Sequence, residues 1–385
     1  MSRPVWFTIA LLGAAACASV EAAPQSAPSA PTGAALATSR PPASAPQPSS
    51  SSSTPMASPP APGVGASWLK GQTHVHTDRS HDANTPPERV LEFYQSRHYD
   101  FVALTDHNRI TVAPTPGNLM LIPGVELTQN SVSCQPKPPP GYRCLIHTTA
   151  LFVDPSKDAA RGERIRFPFV DDRRRAYEAQ LKMAADWGGL SVLNHPQFHF
   201  AADARLIERL AAAELRFVEL ANGGLDPQHP RGRGAAEDRA EALWDQVLSQ
   251  GARVYALATD DAHHFDDVAD RKKLGKFAYT GDRAWIWVRA RKDPSDIRRA
   301  LLAGDFYAST GVRLSELSAQ PDEIRVVVDE PRSCTIRFTG LEGRELATAP
   351  CPRGTFRPSE AKGYVRATVV AEDGSKAWLQ PMFVP

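Results

Sequence analysis

Histidines and carboxylates follow short apolar runs at several separate places in this chain, and that recurrence limits the possible folds more than any other feature. The first such place holds His74 and His76, with Val75 between them. If residues 68–76 form a strand, side-chain alternation places both imidazoles on one face and Val75 on the other. Two neutral imidazoles side by side at the end of a strand are natural metal ligands.

Short apolar strands alternate with helices from residue 67 to about residue 312. The first helix is predicted to have Thr85 as its N-cap, Pro86 as its first residue and Glu88 as the capping-box partner. Strands are predicted at 101–105, 120–127, 143–153, 190–193, 217–220, 254–258 and 284–288, and further helices at 176–187, 237–250 and 294–302. The basic segment 154–175 is predicted to be an exposed insertion. This alternation predicts an α/β fold, as a parallel barrel or an open sheet.

The two ends of the chain differ from this middle part in composition and in hydrophobic pattern. Residues 1–22 resemble an export signal, with an early Arg3, an apolar run and then small residues. Cleavage near Ala22 would give a free periplasmic or secreted protein, whereas cleavage before Cys17, in a sequence that resembles a lipobox, would leave a lipid anchor. Residues 23–66 are rich in Ala, Pro and Ser and are predicted to be a disordered tether. Residues 313–385 show the alternation of a small C-terminal β-sandwich-like domain.

Cysteine spacing and net charge argue against a thiolate metal site and against a strongly anionic binding partner. Cys134 and Cys144 are separated by nine residues, and Cys334 and Cys351 by sixteen. In an exported chain each pair is expected to close a disulfide; a thiolate metal site is the alternative, but these spacings are not those of a Cys-x-x-Cys motif. The formal net charge of +1 argues against nucleic acid or an anionic membrane surface as a partner. The only membrane contact expected is the alternative lipid anchor.

The ligand-type residues at the ends of predicted strands form one set. It comprises His74, His76, His81, His107, Glu126, His147, His195, Asp261 and His263. Any one of these histidines alone is more often a hydrogen-bonded core or surface residue, but chance rarely gives such a set in one domain. A mixture of imidazole and carboxylate ligands suits Zn, Mn or Fe. The set exceeds what one ion can use, so we expect two or three divalent ions bridged by a carboxylate.

At these positions the chain resembles the PHP (polymerase and histidinol phosphatase) domain family. The four motifs of the family correspond to His74-Val75-His76, Thr105-Asp106-His107, Asn194-His195-Pro196 and Asp261-Ala262-His263. Glu126 and His147 lie between the second and third motifs. Residues 244–246, 258–264 and 303–311 and the β-rich tail are similar, more specifically, to the CehA/McbA-type branch of metallohydrolases.

The resemblance implies a distorted (β/α)7 barrel with up to three metal ions. By position, the first ion would be held by His74, His76, Glu126 and Asp261. Glu126 would bridge to a second ion held by His147 and His195. His81, His107 and His263 would hold the third; the family often has Asp at the position of His81, which Asp82 follows here.

These residues lead to the expectation of an exported metal-dependent hydrolase that acts on ester bonds of a small molecule. Water acidified by the ions would attack the substrate, and Asp260 would be a candidate proton acceptor if Asp261 is the ligand. A phosphoester is the favoured substrate, with Arg79 and Arg109 as candidate phosphate contacts. An aryl carbamate or carboxyl ester is the alternative, with Trp187, Phe198, Phe200 and Phe265 as candidate pocket walls. A different class is a tethered, non-catalytic binding protein of the cell envelope.

Overall fold

A computed structural model describes residues 65–385, except residues 132, 139, 141, 158–163, 197, 225–234 and 330–332. The predicted export signal at 1–22, with Cys17, and nearly all of the predicted tether at 23–66 lie outside the described residues. Within the described part of the chain, no helix is both long enough and apolar enough to cross a lipid bilayer.

Strands alternate with helices as far as Ala303, and the described residues after it contain strands and two short 3₁₀ turns but no α-helix. The strands are β1 (Ser67–Gln72), β2 (Phe101–Leu104), β3 (Met120–Ser131), β4 (Cys144–Leu151), β5 (Leu190–Leu193), β6 (Phe217–Asn222), β7 (Tyr255–Thr259), β8 (Trp285–Ala290), β9 (Phe306–Ser309), β10 (Leu314–Ala319), β11 (Ile324–Val328), β12 (Cys334–Thr339), β13 (Glu345–Pro350), β14 (Arg353–Phe356), β15 (Gly363–Ala371), β16 (Lys376–Leu379) and β17 (Met382–Val384). The helices are α1 (Pro87–Gln95), α2 (Arg173–Asp186), α3 (Ala204–Ala212), α4 (Ala235–Ser249), α5 (Val268–Lys273) and α6 (Pro294–Ala303).

A large mixed sheet forms the centre of this α/β fold. In the described residues its hydrogen-bonded order is β13-β12-β15-β16-β9-β8-β1-β2-β3-β4-β5-β6-β7. The prediction of parallel strands is wrong for β4, which is antiparallel to both β3 and β5, and for β8, which is antiparallel to β1. The reason is the connection: β3 and β4 are joined by a hairpin without a crossover helix, and a hairpin reverses the strand direction.

The sheet curls around a common apolar interior without closing its hydrogen-bonded ladder. One buried cluster receives side chains from each of β1 to β9, among them Leu69, Phe101, Ile122, Phe217 and Phe306. The ladder ends at β7, which does not pair with β1 within the described chain. Just beyond both strands, Val75 forms a parallel bridge with Ala262, and the His76 N–H donates to the Ala262 carbonyl at 2.9 Å. The predicted closed barrel is therefore an open, strongly curved sheet, in which the edge strand β7 is joined to β1 by this bridge beyond the two strands.

The sequence predicts the starts of the helices less accurately than it predicts the strands. The predicted capping box of α1 is not formed: Pro86 is the N-cap, and no side chain caps the helix. Helix α2 begins within the segment that was predicted to be an insertion, with the Asp172 side chain accepting from the Arg175 N–H at 2.8 Å. Helix α3 was not predicted, although Asp203 caps it in the same way.

The strands after residue 312 belong to two sheets that share a core. Strands β10, β11 and β14 form a three-stranded sheet, whereas β12, β13, β15 and β16 continue the large sheet through β9. Side chains of both sheets, such as Val326 and Phe338, lie in one buried cluster. Disulfides join Cys134 to Cys144 at the loop end of the β3–β4 hairpin and Cys334 to Cys351 at the start of β12, with Cα–Cα distances of 6.0 and 5.4 Å.

A buried ionic network joins the last strands to α4. The Arg366 guanidinium on β15 donates to both oxygens of Asp245, at 2.7 and 2.6 Å, and to Glu241 at 2.8 Å. Tyr364 donates to Asp245 at 2.8 Å, and the Trp378 indole donates to Glu241 at 3.1 Å. Both carboxylates are thus paired and hydrogen-bonded, which is the condition under which buried charge is tolerated.

This network predicts a loss of stability in acid. Burial raises the pKa of Glu241, but the Arg366 charge and side-chain hydrogen bonds outweigh burial and lower that pKa from 4.5 to about 2. A lowered carboxyl pKa stabilises the fold above pH 4.5 and ceases to do so as the pH falls towards 2. We expect wild type to lose about 3 kcal/mol over this range from Glu241 alone. Urea unfolding of wild type and of Glu241→Gln at several pH values tests this, because the difference between them must shrink in acid.

Candidate metal centre

His74 and His76 lie in an extended segment that continues beyond β1. Strand β1 ends at Gln72, earlier than predicted. Beyond it the Gln72 side chain replaces strand pairing, because its Oε1 accepts from the N–H groups of Thr73, His74 and Asp260. Side-chain alternation nevertheless continues. The Nε2 atoms of His74 and His76 are 3.1 Å apart, whereas Val75 is buried in a separate apolar cluster. The predicted arrangement of this pair on one face is therefore observed.

Glu126 on β3 is the carboxylate around which the histidines gather. Its oxygens lie 2.7 Å from Nδ1 of His107, 3.0 Å from Nδ1 of His147 and 3.5 Å from Nε2 of both His74 and His195. The Asn194 side chain donates to Glu126 at 2.7 Å and also contacts Thr149. Glu126 is completely buried, and Asn194 fixes its orientation.

His147 and His195 stand on the other side of Glu126. His147 is in the amino half of β4, not at the end of a strand as predicted. It reaches the same edge of the sheet because β4 runs antiparallel to β3. His195 follows β5 and has a φ of 28°, and Asp261 follows β7 with a φ of 49°. Positive φ is unfavourable for such residues and is typically retained at functional sites.

A third group contains Asp82 where the resemblance implied His81. Nε2 of His107 and Nε2 of His263 lie 3.2 and 3.6 Å from Oδ2 of Asp82. The His81 side chain is 50% exposed, and its ring lies 5.1 Å from that of His107. The neighbouring carboxylate thus takes the place expected for the histidine.

Three sets of ligand atoms therefore lie close enough to hold metal ions. They are His74, His76 and Asp261; Glu126, His147 and His195; and His76, Asp82, His107 and His263. Within each set the ligand atoms lie within 4.8 Å of one another. Of the nine residues proposed from the sequence, only His81 is missing from these sets.

Outer hydrogen bonds fix which nitrogen of each ring faces the centre. Nδ1 of His74 is 2.5 Å from Glu219. Nδ1 of His76 is 2.8 Å from the Ser80 hydroxyl. His147 uses the opposite nitrogen, its Nε2 lying 2.7 Å from Oδ1 of Asn130. Such partners hold metal-binding imidazoles in the required tautomer.

Glu219 is the functional residue that the sequence analysis missed. It is buried in β6 and accepts hydrogen bonds from the His195 N–H at 2.8 Å and the Thr259 hydroxyl at 2.9 Å, besides contacting His74. The sequence does indicate an unusual residue here, because Glu219 is the one carboxylate inside the apolar run 217–221. A buried charge in such a strand needs partners, which His74 and the main chain supply here.

The pKa values in the cluster are shifted in both directions, because imidazoles and carboxylates are buried together. Burial lowers the pKa of His74, but Asp261, Glu219 and Glu126 outweigh burial and raise that pKa well above 6.5. Burial, with His263 and His107 nearby, lowers the pKa of His76 to about 3. The histidines hold the pKa of Glu126 well below its usual value despite burial. Glu126 therefore stays ionised and His76 stays neutral, which are the states in which these two side chains bind a metal, whereas His74 has to lose its proton when a metal ion binds.

Asp260 and Asp261 have different surroundings although they are adjacent. Asp261 lies 3.2 Å from Nε2 of His76 and 3.4 Å from Nε2 of His74. Asp260 instead accepts from the Tyr94 hydroxyl and from three main-chain N–H groups, at 2.8 to 3.0 Å. Burial raises the pKa of Asp260 to about 6. Because these donors occupy both of its oxygens, we assign Asp260 a structural role in place of the suggested role as proton acceptor.

The residues present fit divalent metal ions. Their ligand atoms are imidazole nitrogens and carboxylate oxygens, the donors that Zn, Mn and Fe accept. Within each set these atoms lie within 4.8 Å of one another, which is close enough to share one ion.

Glu219→Gln is expected to weaken metal binding without unfolding the protein. The change keeps the side-chain volume but removes the charge that orients His74, and losing such a partner typically costs roughly 10–100-fold in metal affinity or activity. Metal content after dialysis against a graded chelator measures the effect. The exposed Glu208 on α3 provides the matched control, and Glu208→Gln must keep wild-type content; equal losses in both variants would contradict the assignment.

Comparisons with known proteins add little to this geometry. No protein-family model and no curated protein matches the chain. Among solved structures, a two-domain protein from Bacteroides vulgatus containing a predicted PHP-like metal-dependent phosphoesterase aligns at 15% identity, covering 82% of this chain and 96% of that one, with a TM-score of 0.44. An amidohydrolase from Chromobacterium violaceum aligns at 18% identity over 50% of this chain and 87% of that one, with a TM-score of 0.32.

Proposed function

We propose that this protein is a metal-dependent hydrolase of the PHP type that uses two or three divalent ions to cleave a phosphoester. The observation that carries the proposal is the convergence of three sets of buried ligand atoms around Glu126, with outer partners fixing the ring orientations. Four imidazoles lie within 3.5 Å of this one carboxylate. The second ring nitrogen of His74 and of His76 is held by Glu219 and Ser80, as is usual for histidines that bind a metal.

Each ion is assigned to one set of residues. His74, His76 and Asp261 would hold the first ion, with Glu126 bridging it to a second ion on His147 and His195. Asp82, His107 and His263 would hold the third, in place of the set with His81. Zn, Mn or Fe suits these ligands. When bound, such ions lower the pKa of water and neutralise charge that develops on a phosphoester.

The chain's own residues orient the reaction at this centre. Asn194 holds Glu126, Glu219 holds His74 and Ser80 holds His76, so the ligands are preorganised. Preorganised charge spends little free energy on rearrangement during the reaction. The Ser80 hydroxyl is itself held, because it donates to Asp106 at 2.9 Å.

A second candidate substrate is an aryl carbamate or carboxyl ester of the CehA/McbA type. It is favoured by Phe198, whose ring stands edge-on to that of His195 with the centroids 5.7 Å apart. An aromatic group of a substrate could pack there. Phe265 instead packs with Phe93 and Tyr94, Trp187 packs into an apolar cluster, and Arg79 is half-exposed and paired with Asp78.

We further propose that the protein is exported, either free in the periplasm or held by a lipid on Cys17. The basis is the sequence of residues 1–22 and the two pairs of cysteines. Mass spectrometry of the mature N-terminus in a bacterial host distinguishes the two forms, and an intact Met1 would contradict both.

Turnover assays test the hydrolase proposal. The protein, loaded with Mn, Zn or Fe, is offered p-nitrophenyl phosphate, bis-p-nitrophenyl phosphate and naphthyl esters. Hydrolysis of either phosphate compound supports the first proposal, and hydrolysis of the naphthyl esters alone supports the second. Metal bound without any turnover would favour the binding-protein alternative. His98→Asn is the control for variants of the candidate ligand histidines, because His98 lies outside the three ligand sets. Its φ of 59° is one that Asn tolerates.

Asp82 and His81 give a matched test of the third group. We expect Asp82→Asn to lose one ion per chain, because it removes a negative oxygen next to His107 and His263. His81→Gln should keep the wild-type metal content, because the His81 ring is half-exposed. Inductively coupled plasma mass spectrometry of both variants measures the stoichiometry, and the reverse order of losses would restore the His81 assignment.

A further inference from the structure

A basic cleft lies beside the loop that carries His195. It has a volume of about 410 Å³ and is lined by residues 135–138 after β3, by the start of α2 and by α3. Its wall is connected to the metal centre along the chain. Ala202, which lines the cleft, donates its N–H to the carbonyl of Pro196 at 3.2 Å.

Cations dominate this cleft. Five cationic side chains line it, namely Lys137, Arg173, Arg174, Arg205 and Arg209. The two acidic side chains, Asp172 and Asp203, are engaged as helix caps, each accepting from a main-chain N–H at 2.8 Å. The cleft therefore carries positive charge that its own carboxylates do not balance.

Among the described residues, three of these cations lack an ion pair of the kind that other surface cations of the protein form. Lys182 and Lys273, for example, form ion pairs with acidic neighbours on their own helices at 2.7 and 2.8 Å. Lys137, Arg205 and Arg209 have no such partner among the described residues. Arg205 and Arg209 are also one turn apart on α3, where like charges repel. Such an arrangement is unfavourable by itself and becomes favourable when an anion binds.

The floor of the cleft is rigid. The buried Arg173 donates to the Ala201 carbonyl at 2.9 Å and to Sγ of Cys134 at 3.2 Å. It thus connects α2 to the segment before α3 and to the disulfide at the end of the hairpin. The Arg173 side chain therefore loses little conformational freedom when a ligand binds.

We propose that this cleft binds a compact multivalent oxyanion of the phosphate-ester class, at a site distinct from the metal ligands. Arginine guanidinium groups match the geometry of tetrahedral oxyanions with paired hydrogen bonds. Several unneutralised cations favour an anion of two or more charges over a monovalent one. The volume lies in the range of small-molecule sites.

Calorimetric titration with 1,2-ethanedisulfonate tests the site at constant ionic strength. This dianion is not hydrolysed and binds metals poorly, so the result does not depend on the proposed hydrolase activity. We expect it to bind at least about tenfold more tightly than methanesulfonate, and Arg205→Gln/Arg209→Gln to weaken it at least about tenfold, as loss of charged hydrogen bonds implies.

Lys182→Gln/Lys273→Gln removes the same charge elsewhere and should change the affinity by less than about twofold, since distant exposed charges are screened. Far-UV circular dichroism and thermal unfolding check that both double variants are folded. Absence of binding to wild type, or equal weakening in the two variants, would overturn the proposal.

Discussion

Glu126→Gln is expected to remove bound metal and to reduce turnover by more than about 100-fold, since even the outer partners of metal ligands are worth roughly 10–100-fold. The substitution keeps the size of the side chain. It removes the negative charge that faces His74, His107, His147 and His195, all within 3.5 Å. Without that charge, the two ions that we propose to share Glu126 would lose their common ligand.

Metal content and turnover must fall together in this variant, and both are measured on protein that still unfolds cooperatively. Glu88→Gln, at an exposed position in the first turn of α1, is the control that should behave as wild type. A Glu126→Gln protein with full metal content and full turnover would refute the bridging role.

Arg366→Met is expected to cost about 3–5 kcal/mol of folding free energy, because removing one partner of a buried ionic network leaves the other charges uncompensated. Asp245 and Glu241 would keep their negative charges in a buried site, with only the neutral donors Tyr364, Thr368 and Trp378 left. Urea unfolding followed by tryptophan fluorescence measures the loss.

Two further variants show whether burial is the cause. Arg325→Met breaks an exposed pair with Glu323 and should cost about 0–1 kcal/mol. Adding Glu241→Gln and Asp245→Asn to Arg366→Met should recover part of the loss, because the uncompensated charges are removed. An Arg366→Met loss no larger than that of Arg325→Met would contradict this account.

The order of the elements and most of the centre could be predicted from the sequence because both depend on local patterns. Apolar runs that end in polar residues gave β2, β5 and β7, and the alternation around Val75 gave the His74–His76 pair. These patterns act over a few residues, so tertiary contacts need not be known.

What could not be predicted depends on pairing across the sheet. The direction of β4 follows from its hairpin with β3, and without that direction His147 could not be placed correctly. Asp82 and His81 are adjacent in a polar loop, and only the folded loop decides which one faces His107. Only the folded sheet brings Glu219 on β6 within 2.5 Å of His74, which follows β1, so this pairing could not be recognised from the sequence.

The bridge between Val75 and Ala262 has a consequence for the order of folding. The candidate ligands His74 and His76 follow β1, whereas Asp261 and His263 follow β7. A nascent chain that ends before residue 261 therefore lacks part of the candidate centre. If the centre binds metal as proposed, complete metal binding should come late, only after residue 263 has been synthesised and the segment after β7 has met the segment after β1.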